Sequence, residues 1–499
     1  MGAYVLGIDQ STQGTKLLLF DEAGKICYRD DMQHIQHIDN RGWVEHDPEE
    51  IWQNLKALVK RMLQQLQLER GSIKAIGISN QRETAMAWNR ETGKPVYPAI
   101  VWQCARGADI CSRLQAEGWS EDIRMITGLP LSPYFSAAKL AWILENVAEA
   151  KESMQAGSLC MGTMDSWLVF RMTKGEVFAT DYSNASRTQL FSLDKLCWSE
   201  KAARAFGINA AGLPHVLDSD GFYGLTDFDG LLPEKVPIHA AMGDSHAALF
   251  GQGCHETGMA KATYGTGSSV MMNVGEKPVR SSHGLVTSLA WSLSGKPRYV
   301  LEGNINYTGA AISWLKDNLH LISSPSETEA LARAANIDDH SYFVPAFTGL
   351  GAPYWEDSAT GRYTGITRVT GKNEMVRAVL DAIAYQINDV VSIMQKESGH
   401  PLPELRVDGG PTRNSYLMQF QADMLNCPVA VPDAAELSAM GAAYAAGIAC
   451  GLYETEKIFG SVKRKQFTPK IQAERRQSML AGWQAAIRQT IEAAKEKIA

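Results

Sequence analysis

The sequence predicts an α/β protein whose two lobes repeat one structural plan. At 499 residues the chain is too long for one ordinary domain, so two domains of about 200–250 residues are expected. Each half contains, in the same order, an apolar hairpin with a glycine-containing tip, a long amphipathic helix, and a strand that ends in polar residues. The halves share little residue identity, so only the plan is repeated. We place the first lobe at residues 1–249 and the second at residues 250–499.

The first half begins with a predicted β-hairpin in YVLGIDQSTQGTKLLLFDEAG (4–24), where a polar turn separates two apolar strands. A helix is predicted at 47–67, because Asp47 can cap it, Pro48 suits its first position, and acidic residues fill its first turn. The segment IKAIGISNQRE (73–83) is then predicted to be a strand. The apolar residues of the helix keep a helical spacing: Ile51, Trp52, Leu55, Leu58, Val59, Met62 and Leu66.

The second half repeats this order. MAKATYGTGSSVMMNVGE (259–276) is again two apolar strands around a glycine turn. EMVRAVLDAIAYQINDVVSIMQKESG (374–399) is again a long helix, which Gly399 is expected to end. LPELRVDGGPTRN (402–414) is again a strand running into glycine and polar residues.

Two such lobes would face each other, each offering a glycine-containing tip to a shared cleft. The first tip supplies Ser11, Thr12, Gln13 and Gly14, and the second supplies 265–268. Glycine lets the backbone approach closely and aim N–H groups at anionic oxygens. Glycine-rich hairpin turns are common and mostly structural, but two of them in matching positions predict a site for phosphate groups.

Composition excludes several other classes. The hydrophobic fraction of 45% and charged fraction of 21% are typical of a globular protein. A formal net charge of −7 argues against a dedicated nucleic-acid surface. No apolar run approaches the ~20 residues that span a bilayer, and MGAYVLGIDQ lacks the features of a signal peptide. The eight cysteines contain no C-x-x-C pair, which indicates reduced thiols. We therefore expect a cytoplasmic protein without a membrane or nucleic-acid partner.

The segment GDSHAALFGQG (243–253) places Asp244, Ser245 and His246 at the start of a predicted helix. The carboxylate of Asp244 can be an N-cap that accepts backbone N–H bonds, or a base aimed at a substrate hydroxyl. His246 can be a proton shuttle or a metal ligand, but further ligands are missing nearby, so a pocket-wall or helix-start histidine is favoured.

Ordered motifs along nearly the whole chain resemble those of the FGGY carbohydrate kinases, and within that family the chain is most similar to glycerol kinases. YFSAAKLAWILEN (134–146) resembles the first family signature and GRYTGITRVTGKNEMVRAVLD (361–381) the second. Other similar segments are NQRET (80–84), WQCARGADIC (102–111), TDYSNASRT (180–188), FVPAFTGLGAPYW (343–355), RVDGGPTRNSYLMQFQADML (406–425) and GAAYAAG (441–447).

The resemblance implies two ribonuclease-H-like domains of the actin, hexokinase and Hsp70 superfamily that close on ATP. It implies that Arg82, Glu83, Trp102, Tyr134 and Asp244 hold a small polyol, with Asp244 as the catalytic base. Arginine and glutamate can chelate vicinal hydroxyls, and aromatic rings can cover a C–H face.

For ATP, the resemblance implies that Asp9 holds Mg²⁺, through water, and that Thr12 and Thr266 grip the β and γ phosphates. Lys16 is either a positive charge near the phosphates or an outward-facing strand lysine. The remaining residues expected at the ATP site are Ser11, Gln13, Gly267, Gly309, Gly410 and Asn414.

Two positions depart from glycerol kinases, which usually carry Gln and Phe where this chain has Ser245 and Ser269. Both line the expected substrate site, and both changes remove bulk. The expected activity is therefore phosphorylation of a terminal hydroxyl of glycerol or of a larger polyol or ketose. The alternatives are a pentulose kinase, for xylulose or ribulose, and a non-catalytic sugar- or nucleotide-binding protein. The family contains homodimers and homotetramers.

Overall fold

The structure is a computed structural model that describes residues 2–496. Two large mixed β-sheets dominate it, one from each half of the chain. The strands are β1 (Tyr4–Gln10), β2 (Gly14–Phe20), β3 (Ile26–Gln33), β4 (His37–Ile38), β5 (Val44–His46), β6 (Ile73–Asn80), β7 (Ala85–Asn89), β8 (Ala99–Ile100), β9 (Leu159–Thr163), β10 (Ala179–Asp181), β11 (Phe191–Ser192), β12 (Cys197–Trp198), β13 (His215–Leu217), β14 (Leu225–Thr226), β15 (Val236–Gly243), β16 (Ala260–Tyr264), β17 (Ser268–Gly275), β18 (Val286–Leu293), β19 (Lys296–Ile305), β20 (Tyr342–Val344), β21 (Arg362–Thr364), β22 (Leu405–Gly409), β23 (Val429–Pro432) and β24 (Arg464–Phe467).

The helices cover the faces and ends of these sheets. They are α1 (Pro48–Gln65), α2 (Ala108–Ala116), α3 (Ser120–Thr127), α4 (Ser136–Asn146), α5 (Ala148–Gln155), α6 (Met164–Met172), α7 (Tyr182–Ala185), α8 (Glu200–Ala205), α9 (Asp244–Gly251), α10 (Gly309–Asp317), α11 (Thr328–Ala334), α12 (Lys372–Ser398), α13 (Ser415–Leu425), α14 (Leu437–Ala449), α15 (Thr455–Gly460) and α16 (Ala473–Glu496). Short 3₁₀ turns occupy Ala210–Gly212, Pro325–Glu327 and Gly410–Arg413.

The two sheets share one topology. The first has the order β14-β15-β6-β1-β2-β3 and the second β18-β19-β17-β16-β22-β23-β24. In the first sheet, β2 pairs antiparallel with both β1 and β3. Strand β6 pairs parallel with β1, and β15 pairs parallel with β6. In the second sheet, β17 pairs antiparallel with both β16 and β19. Strand β22 pairs parallel with β16, and β23 pairs parallel with β22. The predicted repeat of plan is therefore confirmed at the level of strand pairing.

The predicted elements lie close to their expected positions. Helix α1 begins at Pro48, and the Asp47 carboxylate caps it by accepting the Glu49 N–H at 2.9 Å. The apolar stripe of α1 is buried from Ile51 to Met62, whereas Leu66 lies beyond the last helical residue. Helix α12 ends at Gly399, whose φ of 73° is left-handed and favours glycine. Strand β6 stops at Asn80, three residues short of the prediction.

The two halves share part of their core. Helix α14, from the second half, packs against α9 and against β6, β1 and β15 of the first sheet. The approach is close, because a Cβ at Gly77 of β6 would lie 2.1 Å from the Ala442 carbonyl oxygen of α14. The carboxyl ends of the parallel strands β1, β6, β15 and β22 therefore open onto one cleft between the sheets. Within residues 2–496 no helix is both long enough and apolar enough to cross a membrane.

Candidate active site

Three predicted residues meet where the parallel strands of the first sheet end. Asp9 is the sixth residue of β1, Arg82 follows β6, and Asp244 directly follows β15. The carboxyl ends of neighbouring parallel strands lie at one edge of a sheet, which is where ligands of open α/β sheets bind. Here the Arg82 Nε lies 3.3 Å from the Asp244 Oδ1.

The surroundings of Asp244 bear on its two sequence interpretations. Gly243 occupies the N-cap position of α9 and Asp244 is the first helical residue, so Asp244 is not the cap. Its Oδ1 accepts the N–H of its neighbour Ser245 at 2.6 Å. A Cβ at Gly243 would lie 2.6 Å from the Arg82 Cγ, so glycine is what lets Arg82 pass beneath this turn. The Asp244 side chain remains 35% exposed, and it faces a cavity.

That cavity, which we name the central cavity, has a volume of about 1090 Å³. Its lining includes Asp9, Lys16, Asp244, Ser245, Lys261 and Asp408. Carboxylates and lysines from both halves of the chain thus face one space, as a site for a charged ligand requires. The described residues hold no cluster of three or more side chains able to hold a metal by themselves.

A buried network of four alternating charges lies beside Asp244. Arg82 donates to both carboxylate oxygens of Glu302 at 3.0 Å. Arg187 donates its Nε to Glu83 at 2.5 Å, and its Nη1 lies 2.9 Å from Glu302. All four side chains are at most 7% exposed. Arg82, Glu83 and Arg187 come from the first half and Glu302 from strand β19 of the second, so the network joins the halves.

The arginines also set the charge state of the glutamate. Burial alone would raise the pKa of Glu302, but the guanidinium groups of Arg187 and Arg82 more than offset this and hold the pKa well below its usual range. The ionised Glu302 carboxylate fixes the fork of Arg82 beside Asp244. A hydrogen-bonded pair of this kind is strengthened by its opposite charges, and its two parallel bonds fix the orientation of the arginine.

An aromatic wall stands next to this network. The Trp102 and Tyr134 rings meet edge to face with centroids 5.6 Å apart, and the Trp102 indole donates to the Thr12 hydroxyl at 2.9 Å. The buried Lys139 ammonium donates to the carbonyls of Pro133, Tyr134 and Phe135 at 2.8, 2.5 and 3.1 Å. Lys139 thereby fixes the turn that presents Tyr134, and burial lowers the pKa of Lys139 to about 7.

Asp9 lies at the bottom of the central cavity. It accepts a hydrogen bond from the Ser79 hydroxyl at 2.8 Å. Burial raises the pKa of Asp9 to about 6, although Lys16 and the Ser79 hydroxyl oppose the rise. Lys16 lies 3.9 Å from Asp9 and 2.5 Å from Glu436. Of its two interpretations, the structure supports the one that turns Lys16 toward the cavity rather than outward.

The two tips differ in their surroundings. In the first, Ser11 closes the turn by bonding to the Gly14 carbonyl through both its N–H and its hydroxyl at 2.9 Å, and Gln13 is exposed. In the second, the carbonyls of Gly265 and Thr266 accept N–H groups from Gly309 and Ala310 at the start of α10. The second tip is thus held in place against the first turn of α10.

A second cavity of about 680 Å³, which we name the Thr266 cavity, lies on the far side of this tip. Its lining includes Thr266, Gly309, Gly410 and Asn414, four of the residues predicted for ATP. Gly410 also lines the central cavity, so the two spaces adjoin. Asn414 caps α13 and donates to the Thr328 hydroxyl at 3.0 Å. Gly267 does not line this cavity. It shapes the tip, since its carbonyl accepts the Gly265 N–H.

The two serines that depart from the family pattern lie in different surroundings, and Ser269 is half-buried. Ser245 lines the central cavity. The Ser269 hydroxyl donates to Glu302 Oε1 at 3.2 Å. Glu302 and Tyr134 are also on the wall of a third cavity, of about 620 Å³, which we name the outer cavity.

His246 has no part in either cavity wall. It is fully buried, with its Nε2 3.3 Å from the Ser288 hydroxyl and its Nδ1 without a partner among residues 2–496. Burial lowers its pKa well below the usual range. The interpretation of His246 as a helix-start histidine fits this position, and its neutral, enclosed ring is poorly placed to shuttle protons.

The chain is similar to known proteins over nearly its whole length. Models of the FGGY family of carbohydrate kinases match residues 4–251 as the N-terminal domain and 260–450 as the C-terminal domain. The chain belongs to this family. It is 46% identical to "Glycerol kinase 1" of Thermotoga maritima, over 98% of this chain and 99% of the relative. The Plasmodium falciparum glycerol kinase with ADP superposes with a TM-score of 0.94 at 36% identity, covering 98% of both chains. A ligand-bound xylulose kinase from Lactobacillus acidophilus, at 21% identity, TM-score 0.87 and 100% coverage of both chains, shares the fold.

Membership confirms three predictions: the FGGY family, its two-domain fold of the actin and hexokinase type, and an ATP-dependent phosphotransferase. Sequence reasoning missed Glu302, Arg187 and Lys261. A signal for Glu302 was present, because it is the only charged residue in the apolar run YVLEGNI (299–305). Arg187 lies within TDYSNASRT, where the resemblance assigned it no role.

Proposed function

We propose that this FGGY kinase transfers the γ-phosphoryl group of ATP to a terminal hydroxyl of a polyol or ketose longer than glycerol. The observation that carries the proposal is the small size of Ser245, on the wall of the central cavity, and of Ser269, beside Glu302. Ser269 reaches Glu302 directly, and Glu302 borders the outer cavity of about 620 Å³. Cavities of about 300–1,000 Å³ suit ligands of drug size, so this space exceeds what a three-carbon substrate fills.

Asp244 is the base in this proposal. A carboxylate within about 2.6–3.2 Å of the reacting hydroxyl can accept its proton as the bond to phosphorus forms. Arg82 holds Asp244 on one side, and the fixed guanidinium and the Glu83 carboxylate offer donors and acceptors to the neighbouring substrate hydroxyls. Trp102 and Tyr134 cover the C–H face. The Ser245 hydroxyl, beside Asp244, adds a polar contact in place of bulk.

The ATP site is proposed from the two adjoining cavities. Adenosine would occupy the Thr266 cavity between Gly309, Gly410 and Asn414, and the phosphates would enter the central cavity toward Asp9. Thr12 and Thr266, with the N–H groups around Ser11 and Gln13, would then contact the phosphates. Phosphoryl transfer depends mainly on such alignment and on charge stabilisation.

Mg²⁺ fits the residues present. Mg²⁺ prefers oxygen ligands, keeps several waters, and is usually bound by one or two carboxylates together with substrate phosphates. Asp9 offers such a carboxylate at the cavity wall, oriented by Ser79. When bound there with ATP, Mg²⁺ neutralises phosphate charge.

Removing the Asp9 charge should weaken Mg²⁺ dependence. For Asp9→Asn we expect at least about a tenfold rise in the Mg²⁺ concentration that gives half-maximal activity, since a metal site loses roughly 10–100-fold even from its outer ligands. The matched control is Ser79→Ala, which keeps the carboxylate and removes only its hydrogen bond. Titration calorimetry of Mg·ATP with both variants separates binding from turnover. An unchanged Mg²⁺ requirement in Asp9→Asn would argue against this metal site.

Restoring bulk should shift the substrate preference. In the double variant Ser245→Gln, Ser269→Phe we expect the ratio of kcat/KM for glycerol to that for a five-carbon polyol to rise by about an order of magnitude, or about 1.4 kcal/mol. The measurement is a coupled ADP-release assay over linear polyols and ketoses of three to five carbons. The single variants serve as controls, because only Ser269 touches Glu302. A wild-type enzyme that prefers glycerol to every longer substrate would contradict the proposal.

Glycerol itself is the second candidate, because the two glycerol kinases named above are 46% and 36% identical to this chain over nearly the full length. The same ADP-release assay decides between the two candidates. It also tests the pentulose alternative directly, with xylulose and ribulose in the panel. Release of ADP that depends on any of these acceptors rules out a non-catalytic binding protein.

A further inference from the structure

The outer cavity has one polar wall, which strand β19 supplies. Side chains alternate between the two faces of a strand. Leu301 and Ile305 are buried in the core, so Glu302 and Asn304 point the other way, and Asn306 continues the row just beyond the strand. Glu302, Asn304 and Asn306 all line the outer cavity. We name these three residues the β19 row.

The two amides of this row are free. Asn304 and Asn306 are exposed, and their side chains form no hydrogen bond with any residue of 2–496. Ser269 lies directly opposite Asn304 in the antiparallel pair of β17 and β19. Side chains opposite each other in such a pair share one face of the sheet, so a small residue at 269 leaves Asn304 accessible from the Glu302 end.

Several other residues that line the outer cavity are apolar or aromatic. They are Pro130, Leu131, Tyr134, Phe135 and the 57%-exposed Trp355. A linear polyol has hydroxyl groups that need donors and acceptors and a carbon chain that packs on aromatic faces. A cavity lined by both free amides and aromatic rings matches both needs.

The cavity carries no free charge. Its arginines all have carboxylate partners: Arg124 lies 2.8 Å from Glu121, Arg280 lies 2.7 Å from Asp194, and Arg187 is bound to Glu83 and Glu302. Burial of a further carboxylate or phosphate beside Glu302 would be costly without a free cation. A neutral ligand is therefore favoured over a sugar acid or a sugar phosphate.

From these observations we propose that Asn304 and Asn306 form a distal substrate subsite that binds the far hydroxyl groups of a neutral, linear polyol of five or six carbons. The inference rests on the proposed function, because it places the reacting end of the same substrate at Asp244. Glu302 is joined to Asp244 through Arg82, and Asn304 lies a further two strand steps of about 3.3 Å each beyond Glu302. We therefore expect only the longer polyols to reach Asn304.

The test compares wild type with Asn304→Ala and Asn306→Ala on linear polyols of three to six carbons. We expect the ratio of kcat/KM for five- and six-carbon polyols to that for glycerol to fall about tenfold in each variant, through KM, since one hydrogen bond is lost. The control is Asn318→Ala, an exposed amide at the end of α10, which should leave all ratios unchanged. A five-carbon sugar acid tests neutrality and should be a poorer substrate than the polyol of equal length.

Three outcomes would overturn the subsite. If wild type uses longer polyols but kcat/KM falls by the same factor for every chain length in both variants, the subsite is wrong while the proposed function stands. If wild type uses the sugar acid as well as the neutral polyol, the neutral ligand class is wrong. If wild type acts on glycerol alone, the proposed function and the subsite both fail. Melting temperatures and the KM for ATP should match wild type in each variant, because neither amide has a partner to lose.

Discussion

Asp244→Asn should lower turnover by about 10²–10⁴-fold, the range that general-base catalysis supplies. The amide keeps the size of the carboxylate and can still accept the Ser245 N–H and lie beside Arg82, so the fold and the ATP site are preserved. It cannot accept the proton of the reacting hydroxyl. Steady-state kinetics should therefore show a loss in kcat, with little change in the melting temperature or in the affinity for a non-hydrolysable ATP analogue.

The central cavity offers a matched control for this variant. Asp433 lines the same space as Asp244, but it is exposed and makes no side-chain contact with Arg82. Asp433→Asn removes the same charge from the same cavity and should lower turnover far less than Asp244→Asn, because Asp433 does not contact Arg82. Near-normal turnover in a folded Asp244→Asn enzyme would exclude Asp244 as the base.

Local sequence signals predicted the individual elements of the fold. Hairpin tips, the capped start of α1 and the glycine after α12 are local signals, and each depends on residues close in sequence. The strand order of the sheets depends on contacts between distant segments, so the repeat of plan suggested it without fixing it. The placement of α14 on the first sheet could not be predicted, because it depends on Gly77 meeting a helix from the other half.

The candidate site was predictable only in part for a similar reason. Asp9, Arg82 and Asp244 were predicted from the resemblance to the family, and the structure brings them together because parallel strands end at one edge of a sheet. Glu302 lies inside an apolar strand, and its role exists only because two arginines from the other half reach it. The Asn304 and Asn306 amides are likewise meaningful only once β19 is known to face Tyr134.

Glu302→Gln should destabilise the protein and weaken polyol binding together. Glu302 is fully buried and neutralises Arg82 and Arg187. Removing one partner of a buried ion pair leaves uncompensated buried charge, which typically costs about 3–5 kcal/mol of unfolding free energy. Arg82 also loses the carboxylate that fixes its fork, so the KM for the polyol should rise while the KM for ATP stays near that of wild type. Chemical denaturation and steady-state kinetics measure the two effects.

The loss of stability in Glu302→Gln should depend on pH in a defined direction. The arginines hold the pKa of Glu302 in the folded protein below its unfolded value of 4.5. The carboxylate therefore stabilises the fold fully above pH 4.5, and this stabilisation is lost as the pH falls through the pKa of the folded state. The stability difference between wild type and Glu302→Gln should thus be constant at neutral pH and narrow only below about pH 4.5. Glu145→Gln, which breaks an exposed pair with Arg113, should leave the unfolding midpoint unchanged. Equal midpoints for Glu302→Gln and Glu145→Gln would show that the buried network does not hold the two halves together.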